Sequence, residues 1–387
     1  MRVLKEKIRL WQVQRNVGRH AQQKTRKSDQ LNIGFLSEEF FHQDLRGFGG
    51  YGMLIKHITE HFNSNGHSLR GDVLLSFPVD VPGVQMKEYN NANVVLYPRI
   101  QKNYVYNFFK YSSIVNNLKL DAFLALDHHG TYEYPLKGFP NIPWIIWLQD
   151  PRDQAEWEKI ATVPLELQIL KQKDVTGLLK IQQNQIHSLK SVLQESKKYN
   201  RKILFATQAN SLVERAKRQF GIDEVDAFFL PNPIPMQPFT EPNFSEKPSL
   251  LFLGRLDPIK RPWVYYALAE RFPEVDFYVA GSTHFPEIMD PIKEKYSHVS
   301  NLKFLGRVIG EEKEKMLDKV WAVVNTSVHE ALPVSFLEAF MYGKLVISCQ
   351  NPDDLTSRFG FFSGEVLGNG DDPESLDKFS ECIRHLL

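Results

Sequence analysis

The stretch Ser249-Leu-Leu-Phe-Leu-Gly-Arg-Leu-Asp-Pro-Ile-Lys-Arg-Pro262 passes from an apolar run through a glycine and a charged turn, and a helical pattern, Trp263–Glu270, follows it. Near-continuous apolar character over Ser249–Leu253 is what a strand needs when both faces of its sheet are covered. A strand, a short polar turn and a helix form the repeating half of a parallel α/β sheet. The alternation continues downstream, with strands at Val275–Ala280, Leu302–Leu305, Ala322–Thr326 and Leu345–Ser348 and helical patterns at Glu311–Lys319 and Val334–Tyr342. This half of the chain therefore reads as a doubly wound α/β domain.

Upstream of it, the Pro-rich segment Pro231–Pro248 reads as a linker, with a hinge near residue 240. Before the linker comes a second series of the same kind. Strands are expected at Leu31–Leu36, Asp72–Phe77, Asn93–Tyr97, Asp121–Leu126, Trp144–Leu148 and Lys202–Thr207, and helices at Met53–Ser64, Tyr104–Leu118 and Ser211–Phe220. Residues 165–200 are polar and rich in Gln and Lys, with Leu and Ile at helical spacing, and read as an insertion of one or two amphipathic helices. The expected organisation is a basic extension (1–29), an N-terminal Rossmann-like domain (30–240) carrying that insertion, and a C-terminal Rossmann-like domain (241–387). Two tandem domains of this class face a cleft, and a cleft is where a ligand is expected.

Composition narrows the function classes. At 387 residues with 42% hydrophobic and 24% charged residues, the chain is neither wholly disordered, nor collagen-like, nor a multi-span membrane protein. Lys and Arg total 47 against 46 Asp and Glu, so no global charge draws it to nucleic acid. Its two cysteines, Cys349 and Cys382, can form no disulfide framework and have no zinc-type spacing. A cytoplasmic location is expected, since no signal peptide or membrane-spanning run is visible. Residues 1–29 carry Arg2, Lys5, Lys7, Arg9, Arg15, Arg19, Lys24, Arg26 and Lys27, with Leu4, Ile8 and Trp11 on one helical face. A solvated basic tail and a peripheral contact with the inner face of an anionic membrane both fit this pattern.

Three motifs carry possible chemistry. Gly47-Phe-Gly-Gly-Tyr-Gly52 contains GxGxxG but lies well past the strand end, and no acid closes the following strand where a ribose would need one. It reads as a Gly-rich loop at a helix start, either facing an anion or forming a plain turn. Gly254–Pro262 places two long cations, Arg255 and Lys260, about a turn after a strand, where they could clamp a diphosphate or be a surface charge pair. His329-Glu-Ala-Leu-Pro-Val-Ser-Phe-Leu-Glu338 puts Glu330 in the loop after a strand and Glu338 about one turn into the helix that starts near Pro333. Amides at that helix start could hold phosphate oxygens and the carboxylates could accept from sugar hydroxyls, although acids at helix starts are common for dipole reasons.

Taken together, the order strand–Gly-Arg-Leu–Lys, Val279-Ala-Gly281, Phe304-Leu-Gly306 and His329–Ala339 resembles the retaining glycosyltransferases of the glycogen-synthase and sucrose-synthase-like family. The Glu330/Glu338 pair resembles their E-x7-E motif (family 4 type), closely from about Leu250 to Gly364. Gly49-Gly50, Asn65-Gly66-His67 and Leu230-Pro-Asn-Pro-Ile234 match N-terminal landmarks more weakly. The resemblance implies a GT-B architecture and transfer of a sugar from a nucleotide-sugar donor, such as a UDP- or GDP-sugar, to a glycan or lipid-linked acceptor in polysaccharide biosynthesis. It implies that Arg255 and Lys260 bind the diphosphate, that Glu330 faces the sugar, and that Glu338 holds the ribose. It also places Ala331, Leu332 and Val334 by the sugar and phosphates, with Gly49 and Gly50 closing over the diphosphate or acceptor. No cofactor and no metal are expected, because the cations take the metal's part.

The sequence departs from the family where a His often follows the strand Trp144–Leu148; here Gln149 and Asp150 stand there. Asp150 is the candidate for acceptor contact or base, with a loop or capping role as the alternative. In Asp127-His-His-Gly130, one histidine, His129 in our assignment, is expected to touch sugar while the other is structural. Relatives run on into a helix that crosses back to the first domain, and here that crossover is expected to be short or absent. The competing function is a catalytically silent protein of this fold that binds glycan or nucleotide. A nicotinamide oxidoreductase is disfavoured by the glycine context.

Overall fold

In the computed structural model the described residues are 30–40, 50–64, 68–77, 84–89, 91–98, 104–171, 174–223, 225–234 and 241–387. The basic extension, Gly47, Gly49 and residues 65–67 lie outside them. The first half supplies β1 (Leu31–Ser37), α1 (Gly50–Phe62), β2 (Leu69–Phe77), β3 (Gln85–Tyr89), β4 (Ala92–Pro98), α2 (Tyr104–Leu118), β5 (Ala122–Leu126), α3 (Glu133–Gly138) and β6 (Trp144–Leu148). It continues through α4 (Gln154–Ala161), α5 (Pro164–Ile169), α6 (Val175–Lys198), β7 (Ile203–Thr207), α7 (Ser211–Phe220) and β8 (Ala227–Phe229). The second half supplies β9 (Ser249–Leu253), α8 (Pro262–Arg271), β10 (Asp276–Ala280), α9 (Pro286–Lys295), β11 (Leu302–Gly306), α10 (Glu311–Lys319) and β12 (Ala322–Asn325). It ends with α11 (Val334–Met341), β13 (Leu345–Ser348), α12 (Leu355–Arg358), β14 (Gly360–Phe362) and α13 (Pro373–Leu386).

Two parallel sheets result. The first has the order β3-β4-β2-β1-β5-β6-β7-β8, parallel throughout except for the antiparallel edge strand β3. The second has the order β11-β10-β9-β12-β13-β14, all parallel. Counted from its own first strand, that is the doubly wound order 3-2-1-4-5-6.

The apolar runs explain why both faces are covered. In β9, Leu250 and Phe252 join one buried cluster with α8 (Val264, Leu268) and α13 (Phe379, Ile383). Their neighbour Leu251 joins the opposite cluster with Leu317 of α10 and Phe336 of α11. In β12, Val324 and Val323 divide in the same way, as do Ile347 and Val346 in β13. Alternate residues thus feed alternate faces, and a strand apolar on both is the outcome. The first sheet is covered on one face by α1, whose Leu54, Ile55 and Ile58 pack with Phe35, Val73, Leu75, Val94 and Leu96.

The chain does not divide at a single cut near residue 240. One compact unit comprises the described residues within 1–149, 183–208 and 220–233; the other comprises those within 150–182, 209–219 and 234–387. The physical reason lies in the apolar contacts of the two excursions. Ile160 of α4 and Val163, just after it, belong to the cluster of Leu250 and Trp263. Leu212 of α7 packs with Ala331 and Leu332, and the backbone N–H groups of Asn210 and Ser211 donate to the Asp353 carboxylate at 2.7 and 2.8 Å. The helical segment expected near 165–200 is present as α5 and α6, but residues up to 182 belong to the second unit.

Candidate active site

In a doubly wound sheet the connections from the two strands at the order reversal leave on opposite faces, opening a crevice at their carboxyl ends. Here those strands are β9 and β12, which are paired. Their trailing loops carry Arg255 and Lys260, and Glu330. The loops are stitched together: Val328 N–H donates to Ile259 O at 2.9 Å, and the Thr326 hydroxyl lies 2.8 and 2.9 Å from the Lys260 and Arg261 carbonyls. Arg261 sits in the left-handed region (φ 45°) with its side chain buried. Its guanidinium donates to Thr326 O (2.8 Å) and Gly368 O (3.0 Å) and to Cys349 Sγ (3.4 Å). It is a strut that fixes the turn ending in Lys260. At the base of the loop the backbones of Gly254 and Gly281 nearly touch: a Cβ on Gly281 would lie 1.8 Å from Gly254 O.

The Lys260 ammonium reaches Glu330 Oε1 at 2.5 Å. The Ser327 hydroxyl (2.6 Å) and the Asn325 amide (3.0 Å) donate to the same oxygen. Burial pushes the Glu330 carboxyl up, but the Lys260 charge and these three hydrogen bonds outweigh it and hold the group ionised, below the usual range. Glu338 lies on α11 and accepts from Lys313 at 2.6 Å. Arg255 is half exposed, with Nη1 3.2 Å from Asp257 Oδ2. Ala331 and Leu332 are buried against α7, whereas Val334, first residue of α11, is exposed. The structure therefore joins Lys260 and Glu330 directly and gives Arg255 and Glu338 separate partners.

Beneath Glu330 lies a cluster that sequence reasoning missed. His329 Nε2 is 2.7 Å from Asp150 Oδ1 and its Nδ1 is 2.5 Å from Glu156 Oε2. Asp150 Oδ2 accepts from Arg152 Nη2 at 2.6 Å and Nε at 3.0 Å. Burial pushes Asp150 up, yet Arg152 and His329 hold it well below the usual carboxylate range. Both oxygens of Asp150 are thus engaged, Oδ1 by His329 and Oδ2 by Arg152. Its own residue lies in the second unit, one residue past the first unit's boundary.

The first sheet reverses order between β1 and β5, and Asp127–His129 follow β5. His128 is buried, with Nε2 2.9 Å from the Ser188 hydroxyl; burial lowers it to about 3, so it stays neutral. His129 is partly exposed, with Nδ1 3.7 Å from Glu38 Oε2. His128 is thus buried and His129 accessible. Asp127, at φ 53°, accepts from Gln149 N–H (2.8 Å) and Tyr51 OH (2.6 Å). Gln149 is buried in an amide chain: it donates to Asn232 Oδ1 at 2.9 Å, Asn232 donates to Gln208, and Gln208 donates back to Gln149 O at 2.6 Å. Gly50 opens α1, is exposed, and among the described residues has nothing within 4 Å of where a Cβ would stand.

Among the described residues no helix is long and apolar enough to cross a membrane, and no group of three or more His, Cys, Asp or Glu is placed to hold a metal ion.

The family model for glycosyl transferases group 1 matches residues 235–353, which span the Arg255–Lys260 loop and the Glu330/Glu338 pair. No curated protein sequence matches the chain. Among solved structures, sucrose-phosphate synthase from Thermosynechococcus elongatus is similar at TM-score 0.58 and 12% identity, over 92% of this chain and 90% of that one. Anabaena HepE, crystallised with UDP and glucose, is similar at TM-score 0.57 and 12% identity, over 91% and 90%. WaaG, a glycosyltransferase involved in lipopolysaccharide biosynthesis, is similar at TM-score 0.53 and 15% identity, over 92% and 90%. These likenesses establish the GT-B fold. The second unit contains a glycosyl transferases group 1 domain, and the chain is a glycosyltransferase by that domain.

Proposed function

We propose that this glycosyltransferase moves a sugar from a nucleoside-diphosphate sugar to a hydroxyl of a glycan or lipid-linked glycan, with retention of anomeric configuration and without a metal ion. The observation that carries the reading is the Lys260–Glu330 pair at the order reversal of a sheet that belongs to a glycosyl transferases group 1 domain. An ammonium has three donors. One meets Glu330, and the other two make no contact among the described residues. Lys260 can therefore hold Glu330 and a phosphate oxygen at once. Arg255, half exposed, can exchange Asp257 for the diphosphate through its forked guanidinium.

The chemistry follows from the charges. Breaking the sugar–diphosphate bond builds negative charge on the leaving oxygen, and fixed cations stabilise that charge most in the transition state. The acceptor oxygen bonds to the anomeric carbon on the face the diphosphate leaves, and the acceptor proton passes to the departing phosphate. Glu330, ionised and held at one oxygen by three donors, faces the sugar as a fixed negative charge. Glu338 accepts from the ribose, and amides near Ala331, Leu332 and Val334 line the sugar and phosphates. That HepE was crystallised with UDP and glucose supports a UDP-sugar as the first donor to try. WaaG's part in lipopolysaccharide synthesis supports a lipid-linked acceptor. On this reading the chain works on the cytoplasmic side, and residues 1–29 touch an anionic membrane surface.

The experiment is a panel of UDP-, GDP- and ADP-sugars in EDTA, assayed for transfer and hydrolysis alongside Glu330→Ala and Arg255→Ala. Turnover of one donor that both substitutions weaken is expected. Absence of any nucleotide binding would overturn the site. Nucleotide binding without turnover, with acceptors of both classes supplied, would favour a binding protein.

A further inference from the structure

The loop between β12 and α11 has no regular structure of its own, yet Glu330 within it is gripped from three directions. Its carboxylate is held by Lys260, Asn325 and Ser327. Its backbone carbonyl accepts from Arg215 Nη1 of α7 at 3.2 Å. The preceding side chain, His329, is buried between two carboxylates at 2.7 and 2.5 Å. Arg215 also reaches Glu156 Oε1 at 3.5 Å, so these grips form one network.

Hydrogen-bond logic sets the charge on His329. A neutral imidazole has one donor nitrogen and one acceptor nitrogen. Both nitrogens of His329 face carboxylate oxygens, and a carboxylate only accepts, so both nitrogens must donate. We propose that His329 is a positioning residue for Glu330: an imidazolium bridging Asp150 and Glu156, it anchors the Glu330 loop to the two excursions, 150–182 and 209–219, that the chain sends into the second unit. This rests on the reading above that Glu330 faces the transferred sugar.

The surroundings fit a charge that is kept and not one that is switched. The segment after β6 gives Asp150 and Arg152, with Arg152 also 5.1 Å over the Trp157 ring. α4 gives Glu156 and Lys159, and α7 gives Arg215. The loop after β14 gives Glu365, which shares Lys159 at 2.8 Å. Burial disfavours the imidazolium, but the charge and hydrogen bond of Asp150 and the hydrogen bond of Glu156 outweigh it and raise His329 above its ordinary value. Burial likewise pushes Glu156 up, and His329, Arg215 and Lys159 bring it down to about 2. A loop fixed in this way needs no reorganisation when the donor arrives, and small misplacements of a reacting group cost large factors in rate.

The first test reads the charge itself. In protein with ¹⁵N-labelled histidine, the His329 signal is assigned by its loss in His329→Gln. Both ring nitrogens are expected to stay protonated to a higher pH than those of a free imidazole, and a signal that turns neutral at or below the ordinary value would overturn the proposal. This readout needs no turnover, so it stands apart from the fate of the glycosyltransfer reading. The second test is kinetic. His329→Gln is expected to lower kcat about ten- to hundredfold while the dissociation constant for the free nucleotide changes by less than about threefold. An equal loss in both would overturn the positioning role. Should His329→Gln fail to fold, Glu156→Gln serves. With one carboxylate gone the imidazolium is less stabilised, so the alkaline limb of kcat moves to lower pH. Superimposable pH profiles for wild type and Glu156→Gln would refute the clamp.

Discussion

Lys260 and Glu330 form an ion pair whose two halves differ in burial, and that difference predicts unequal costs. The Glu330 side chain is 8% exposed and the Lys260 side chain 23%. Lys260→Met leaves a carboxylate buried without its cation. Breaking a buried pair from that side costs about 3–5 kcal/mol. The Asn325 and Ser327 donors stay on Oε1 and offset part of this, so a cost of about 2–3 kcal/mol is expected. Glu330→Gln keeps an oxygen for the same two donors. It leaves an ammonium on a flexible stem that can swing into water, and about 1 kcal/mol or less is expected. For a unit of this size each kcal/mol moves the melting temperature by about 2–4 °C. Lys260→Met should therefore melt about 4–12 °C below wild type, and Glu330→Gln within about 4 °C of it.

Calorimetry at pH 7 and again at pH 4.5 checks both the size and the cause. Acid protonates an unpaired Glu330 first, so the gap between the two variants should narrow at the lower pH. Saturating nucleotide offers a functional counterpart. Ligand at a hundred times its dissociation constant adds about 2.7 kcal/mol of stability, and Lys260→Met should lose much of that gain while Glu330→Gln keeps it. If Glu330→Gln were as destabilising as Lys260→Met, or the gap were the same at both pH values, the reasoning from unequal burial would fail.

Other expectations follow from the same structure. The buried Asn301 amide donates to the carbonyls of Ala269, Phe272 and Val275 at 2.9–3.0 Å, so Asn301→Ala should cost about 2–3 kcal/mol in a urea melt, and Asn301→Asp, which sets a carboxylate against three carbonyls, should cost more. Gly281→Ala forces a Cβ onto Gly254 O and should yield little folded protein. Gly50→Ala meets nothing among the described residues and should melt like wild type, so any loss of its turnover would report close backbone approach by substrate. His128 is lowered by burial to about 3. Between that value and its unfolded value near 6.5 the unfolded chain binds the extra proton, so stability should fall with acid by up to about 1.4 kcal/mol per pH unit, and His128→Gln should flatten that limb. His329, raised instead, contributes in the opposite sense: its stabilisation is full below pH ~6.5 and is lost as pH climbs through its folded value.

The two kinds of information in this chain were unequally legible. Strands β9, β10, β12 and β13 were visible because each is apolar on both faces, and the Arg255–Lys260 and Glu330–Glu338 segments were visible because each is a local pattern within a few consecutive residues. β3 escaped because it is a polar edge strand, with only Tyr89 buried, and β14 because it is three residues long. α4 escaped because only Glu156 and Ile160 of its eight residues are buried. The clamp on His329 escaped for a different reason. Its partners Asp150 and Glu156 lie 179 and 173 positions away in sequence, Arg215 lies 115 positions from Glu330, and each, read alone, is an ordinary charged residue near a helix. The same distance hid the domain division, because a boundary drawn from a Pro-rich linker assumes that each half of the chain folds on itself. Here α4, α5 and α7 bury their apolar sides in the second unit, and the carboxylates and guanidinium they carry close on the loop beside Glu330. The side chains that fix the Glu330 loop thus come from wherever the fold can place a buried, charge-matched group, and no local pattern announces them.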